Sequence, residues 1–227
     1  MNDKRLTYRV LSALLRYPDA EFRKAVPELM RSLDAERRAL AASRRGELKA
    51  LLRQFETRDA FELESRFVET FDRGRATSLH MFEHVHGDSR DRGPALVDLG
   101  QMYEKAGLAL AGDELPDHLS VVLEFASTQP DAVARALLDE MAHILNAVFS
   151  ALRERESPYA CVIAAALELA GQRVQAVAVE PDQPIDEAWT EPPAFDGCSS
   201  RGQAAPGTPQ PIHIVRNKQP MSQGARA

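Results

Sequence analysis

The sequence predicts an all-α protein: one compact multi-helix domain followed by a proline-rich, largely irregular tail. Three observations carry this. Over the first 172 residues the apolar side chains recur at spacings of three and four, the signature of helices that bury one face. No stretch shows sustained period-two alternation flanked by turns, apart from the short run Val174 to Val179. Proline is partitioned, with eight of the fourteen falling in residues 181–227. Such a composition neither sustains a hydrogen-bonded helix nor buries much apolar surface. The expected organisation is a helical domain over 1–172 and a flexible tail over 173–227, with no internal repeat.

Each helix has its own signal. Leu6, Val10, Leu14 and Tyr17 form a first amphipathic stripe, stopped by Tyr17-Pro18-Asp19. A second helix is expected from Asp19 to about Ala41, bent or broken near Pro27. Leu48, Leu51, Leu52 and Phe55 mark a third. Phe61, Leu63, Phe67, Val68 and Phe71 mark a fourth, ending before Asp72-Arg-Gly. Leu96, Leu99, Met102 and Tyr103 mark a fifth that ends at Gly107, and Leu119, Val122, Leu123 and Phe125 a sixth beginning near Pro116. The clearest stripe is Val133, Leu137, Met141, Ile144, Leu145, Val148 and Leu152, one helix from Asp131 to Arg153 with Asp131 placed to cap it. Ser157-Pro158 restarts a helix from Tyr159 to Ala170. That segment is apolar nearly all round and rich in alanine, so a central position is expected, with Gly171 as terminator.

Composition narrows the function. The 227 residues are 44% hydrophobic, 27% charged and 6% aromatic, with a formal charge of −6. This length supports a core without disulfide or metal staples. The excess of 34 acidic over 28 basic residues argues against general binding to nucleic acid or anionic membranes. Two cysteines, Cys161 and Cys198, do not make a disulfide scaffold. The longest apolar run, Ala160 to Leu167, falls far short of the ~20 residues of a membrane span. Arg9 and Arg16 interrupt the N-terminal apolar stretch, unlike a secretory signal. A soluble cytoplasmic protein is expected.

Catalytic motifs are missing. No GxxxxGK[ST], GxGxxG or GxSxG pattern occurs. Cys161 lies inside the most apolar helix and reads as an inert core thiol. The densest polar stretch, Thr70 to Arg92, holds His80, His84 and His86 around Glu83. On a helix His80 and His84 would share a face, so a metal-dependent helical enzyme is one reading. Against it, the order His-Met-Phe-Glu-His is not the zinc-protease pattern, and no third ligand is evident. The competing reading is a polar connection whose histidines bond Glu83, Asp88 or Asp91. In Leu115-Pro-Asp-His-Leu119, Asp117 and His118 stand at the N-terminal end of a helix, where an aspartate caps free amides. Alternatively they form a charged lip beside an apolar groove, and a histidine there would make binding pH-sensitive.

Glu64-x-x-Phe67-x-x-x-Phe71-Asp-Arg-Gly74, the string Thr77-Ser-Leu-His-x-Phe-Glu-His-Val-His-Gly-Asp-Ser-Arg-Asp-Arg-Gly93, and Leu115-Pro-Asp-His-Leu with Leu123-Glu-Phe125 closely resemble the NarJ family. These are the chaperones for assembly of molybdenum cofactor-containing nitrate reductase, akin to the TorD/DmsD-type chaperones. The resemblance spans roughly residues 5–172, and Trp189-x-Glu-Pro-Pro-Ala-Phe in the tail is also similar. It implies a non-enzymatic helical chaperone that binds the N-terminal segment of the nitrate reductase catalytic subunit. The client would be held open for insertion of molybdopterin guanine dinucleotide and an Fe–S cluster, before docking at the membrane. Molybdenum cofactor biosynthesis proteins are further partners, and the chaperone itself keeps no cofactor. A client helix would bury its apolar face against Phe67, Phe71 and Leu123, its basic residues would meet Glu64, Glu83 or Asp117 at the rim, and His118 beside Asp117 would also matter to client binding. Phe67 and Phe71, four apart, fit a core equally well. A chaperone for a different molybdoenzyme is the nearer rival reading.

Overall fold

The structure, a computed structural model, describes residues 4–87, 89–110 and 114–178. The expectations placed on Asp88, Val179 and the rest of the tail, including Trp189 and Cys198, lie outside the described residues. The chain divides into residues 1–182 and 183–227, and every described residue belongs to the first unit.

That unit is all-helical among the described residues, as the periodicity predicts. α1 is Arg5–Leu14, α2 Ala20–Ala35, α3 Ala42–Thr57 and α4 Ala60–Phe71. A single 3-10 turn, Arg75–Thr77, leads into α5, Met81–His86, and then α6, Arg92–Lys105. α7 is Leu119–Thr128, α8 Asp131–Glu140, α9 Ala142–Glu154 and α10 Ala160–Ala170. Asp19 and Asp59 start α2 and α4, their carboxylates accepting the amides of Phe22 and Glu62 at 2.8 and 3.1 Å. α2 runs unbroken through Pro27, which sits on its exposed side, and stops at Ala35 rather than near residue 41.

α10 is the hub. It packs on α9, α8, α3 and α1, and nearly all its side chains are buried. Buried alanines at 160, 164, 165, 166 and 170 let its neighbours approach closely. Val162, Ile163, Leu167 and Leu169 each contribute about 1.5–3 kcal/mol by leaving water. Gly171 ends α10 in the left-handed conformation at φ 77°. A Cβ there would collide with the Arg135 guanidinium, whose Nε donates to the Ala170 carbonyl at 3.1 Å. α1 and α7 form the second main contact, locked by the Ser12 hydroxyl donating to the Ser120 carbonyl at 2.8 Å.

Three helical expectations are corrected. The Asp131–Arg153 stripe is two helices, because the chain breaks at Met141 and α8 buries Ala134 and Leu138 instead of Val133. Asp131 does not cap α8, whose N-cap position is Pro130; its carboxylate pairs with Lys4 at 3.1 Å. Similarly Phe61, counted on the α4 stripe, is 76% exposed, and the buried face is Leu63, Phe67 and Phe71.

Candidate functional site

The motif-rich stretch folds into a buried polar knot. Thr77 is buried in the 3-10 turn, its hydroxyl donating to the Thr70 carbonyl and accepting from Arg155 at 3.2 Å. The chain then passes alongside residues 117–119 as an antiparallel pair. The Leu119 amide donates to the Leu79 carbonyl at 2.8 Å, and the Met81 amide to the Asp117 carbonyl at 3.1 Å. His80 and His118 face each other across this pair, rings edge to face at 5.1 Å.

Asp117 is the centre of the knot. Its side chain is fully buried. One oxygen lies 3.3 Å from His80 Nδ1, and the other accepts the Phe82 amide at 3.0 Å with Arg92 Nη2 at 3.8 Å. Asp117 therefore caps α5, thirty-five residues away in sequence, while the cap of α7 is His118, whose Nδ1 accepts from the Ser120 amide and lies 2.7 Å from its hydroxyl. Burial alone would push the Asp117 carboxyl up, but His80, the Phe82 amide and Arg92 outweigh it and hold it below the usual range. The Asp117 bond raises the pKa of His80. Burial lowers that of His118, which favours the neutral ring.

The knot uses up the other polar candidates as well. Glu83 accepts from the Ser78 hydroxyl at 2.7 Å. His84 Nε2 lies 2.9 Å from the Ser78 carbonyl, and His86 packs edge-on against Phe82. The three histidines thus point to three separate partners. Among the described residues no group of three or more His, Cys, Asp or Glu could hold a metal ion. Burial pushes the Cys161 thiol up to about 12, which suits an inert thiol.

The residues expected to line one groove are not brought together. Phe67 and Phe71 are core: with Tyr159 they form an aromatic cluster whose ring centroids lie 4.9 to 5.9 Å apart. Leu123 is fully buried on the inner face of α7. Burial of two aromatic rings one helical turn apart on an amphipathic face outweighs any gain from leaving them open to a partner. Glu64 accepts from the Tyr17 hydroxyl at 3.0 Å on the outside of α4. Asp117 is beneath the surface, so it is no rim charge.

An open apolar surface exists elsewhere. Between α6 and α7 a cleft of about 280 Å³ is floored by Tyr103, Leu108, Val121 and Phe125. Tyr103 and Phe125 stack at 4.5 Å, and the Tyr103 hydroxyl donates to the Pro116 carbonyl at 2.8 Å, which ties the floor to the knot. Leu110, 44% exposed, extends the apolar surface. Glu114 and Glu124 stand at the rim with Arg9. A larger cavity of about 1170 Å³ beside the α1 N-terminus is ringed by charged side chains, and its Glu36 already caps α1 through the Leu6 and Thr7 amides at 2.9 and 2.8 Å. The α6–α7 cleft escapes sequence reading because its residues come from two helices and the connection between them. The signal in the sequence is the pair of leucines, Leu108 and Leu110, just after Gly107.

The arrangement offers a surface for binding. Its fold is similar to that of a crystal structure described as a putative redox enzyme maturation protein from Archaeoglobus fulgidus, which superposes with a TM-score of 0.52, covering 74% of this chain and 94% of that one at 20% identity. The nitrate reductase delta subunit family matches residues 18–165, and the chain belongs to that family. It is 40% identical over 192 residues to the nitrate reductase molybdenum cofactor assembly chaperone NarJ of Escherichia coli K12, covering 80% of this chain and 81% of that one. It is 33% identical over 177 residues to a protein of Bacillus subtilis described as a probable nitrate reductase molybdenum cofactor assembly chaperone NarJ, covering 75% and 93%. These relatives are named as assembly chaperones, not as catalysts.

Proposed function

We propose that the chain is a cytoplasmic chaperone of nitrate reductase assembly that binds the N-terminal segment of the catalytic subunit in the α6–α7 cleft. The client would be kept competent for molybdopterin guanine dinucleotide and Fe–S insertion before it docks at the membrane, with molybdenum cofactor biosynthesis proteins as further partners. The observation that carries this reading is an open cleft with an apolar floor, whose rim of Glu114, Glu124 and Arg9 carries a net negative charge, the complement of a basic amphipathic segment. The names of the relatives support the client. No helix among the described residues is long and apolar enough to cross a membrane.

The energetics suit a client that must be released. Burying about 400 Å² of apolar area gives a gross gain of about 10 kcal/mol. Ordering a flexible segment and losing its free motion consume much of it, leaving about micromolar binding. The test is a pull-down with immobilised N-terminal peptides from nitrate reductase and from other molybdoenzymes. Selective retention on the nitrate reductase peptide is expected. Retention on another leader would assign the chain to a different molybdoenzyme, and retention on none would reject the reading.

A further inference from the structure

After α10 the chain stays against the domain through residue 178. Gln172 is anchored twice, its amide donating to the Leu167 carbonyl at 2.9 Å and its side chain to Asp139. The next residues run extended over α9. The Gln175 amide donates to Asn146 Oδ1 at 2.7 Å, and the Val177 amide to Ser150 Oγ at 3.0 Å.

The geometry of α9 explains why this pair of residues works. Asn146 and Ser150 are four apart on one helix face, a rise of about 6 Å. Alternate amides of an extended chain repeat every ~6.6 Å, so the two spacings agree. Both acceptors are also aimed by the helix itself. Asn146 spends its amide group on the Ala142 carbonyl at 2.9 Å, which turns Oδ1 outward. Ser150 spends its hydroxyl proton on the Asn146 carbonyl at 2.8 Å, which leaves a lone pair for a donor. Asn146 and Ser150 are only 8% and 6% exposed, whereas Val174 and Val177 on the overlying strap are 37% and 44% exposed. The strap is held by its main chain and by Gln172, while its apolar side chains stay largely in solvent.

We infer that the Asn146–Ser150 pair is a docking track for extended polypeptide, filled at rest by residues 172–178 and open to an extended segment of an incompletely folded client that displaces them. A track that reads main-chain N–H groups at alternate positions accepts many sequences, as β-addition does. It differs from the α6–α7 cleft, which takes an apolar helical face. The inference rests on the chaperone reading for the identity of the displacing chain, but the chemistry of the track is testable without any client.

The test uses the full chain and a capped synthetic peptide of residues 172–178. In the Gln175→Pro/Val177→Pro variant the strap loses both donors and the track is vacated. That variant is expected to bind the peptide at least tenfold more tightly than the unaltered chain, where the tethered strap competes. The same peptide N-methylated at the positions of Gln175 and Val177 is expected to bind at least tenfold more weakly to the variant. Equal affinity of the N-methylated peptide, or no binding to a variant with an unchanged helical circular dichroism spectrum, overturns the inference. Amide exchange in the unaltered chain reads the track without any substitution. Gln175 and Val177 should exchange at least tenfold more slowly than Val174 and Ala176, and uniform exchange across the four overturns it. Failure here leaves the α6–α7 cleft untouched, because that cleft is tested with a different peptide.

Discussion

The Asp117 knot and the α6–α7 cleft share one helix, α7, yet they meet opposite demands. The knot buries a carboxylate completely and surrounds it with a histidine, a main-chain amide and an arginine. The cleft leaves leucine and valine side chains at a surface, with few hydrogen bonds beyond the one from Tyr103. Buried polar groups demand particular partners at particular distances, so one substitution leaves several groups unsatisfied. An apolar contact surface demands only area and shape. The residues that make the sequence recognisable therefore fix the scaffold, while those that would touch a client leave little trace in it. The Tyr103 hydroxyl bond to the Pro116 carbonyl, next to Asp117, is where the scaffold reaches the cleft.

The sharpest way to break this comparison is Asp117→Ala. It removes the cap of α5 and leaves His80, the Phe82 amide and Arg92 without their acceptor, which should cost about 3 kcal/mol of stability. Denaturant melts check this, and a loss below about 1 kcal/mol would mean the knot is not structural. Smaller in free energy, and opposite in kind, is Leu108→Asp in the cleft. It should lower client-peptide affinity about tenfold, or about 1.4 kcal/mol, with stability nearly unchanged because Leu108 is only half-buried. Weaker again are Glu114→Gln and Glu124→Gln, expected to change affinity by about 0–1 kcal/mol each. Their effect should fall mainly on the association rate and vanish at high salt, which stopped-flow binding would show.

The shallowest expected effect is on pH. The folded state raises the pKa of His80, so its contribution is full below the ordinary value of about 6.5 and is lost as pH rises through the higher folded value. Asp117 is held low, so its contribution is present above about 3.9 and is lost as pH falls through the folded value. His118 is also held low but is a base, so protonating it opposes folding as pH falls below about 6.5. The two histidines thus bend the stability curve in opposite directions near neutrality. His80→Gln should flatten the loss on the alkaline side and His118→Gln the loss on the acid side, read as melting temperature between pH 5 and 9.

Helices were legible in the sequence wherever one side of a helix faces one core. Gly171 as terminator and the apolar 160–170 segment as hub follow from local composition alone. The break at Met141 was hidden because the apolar stripe reads straight across it; only packing selects Ala134 and Leu138 over Val133. The six-residue α5 was hidden for another reason. It is too short to show a period, and its cap comes from Asp117, far away in the chain. Among the site residues, the sequence places Asp117 and His118 at the start of α7 and gives the cap there to Asp117, whereas His118 caps α7 and Asp117 caps α5, since a carboxylate's choice between two helix ends depends on tertiary contact. Phe67 and Phe71 show the limit most plainly. Their spacing marks an apolar face without saying whether α10 or a client covers it, and the Tyr159 ring covers it here.

The central claim is that recognition belongs to the cleft and architecture to the knot. The most direct test is calorimetric titration of the nitrate reductase N-terminal peptide into the unaltered chain and into the Leu108→Asp and His118→Gln variants, each with its melting temperature. The expected result is about micromolar binding to the unaltered chain. Leu108→Asp should lose about tenfold at an unchanged melting temperature, and His118→Gln should melt lower with an affinity within about threefold once folded. Full affinity in Leu108→Asp, with the larger loss in a folded His118→Gln, would contradict it.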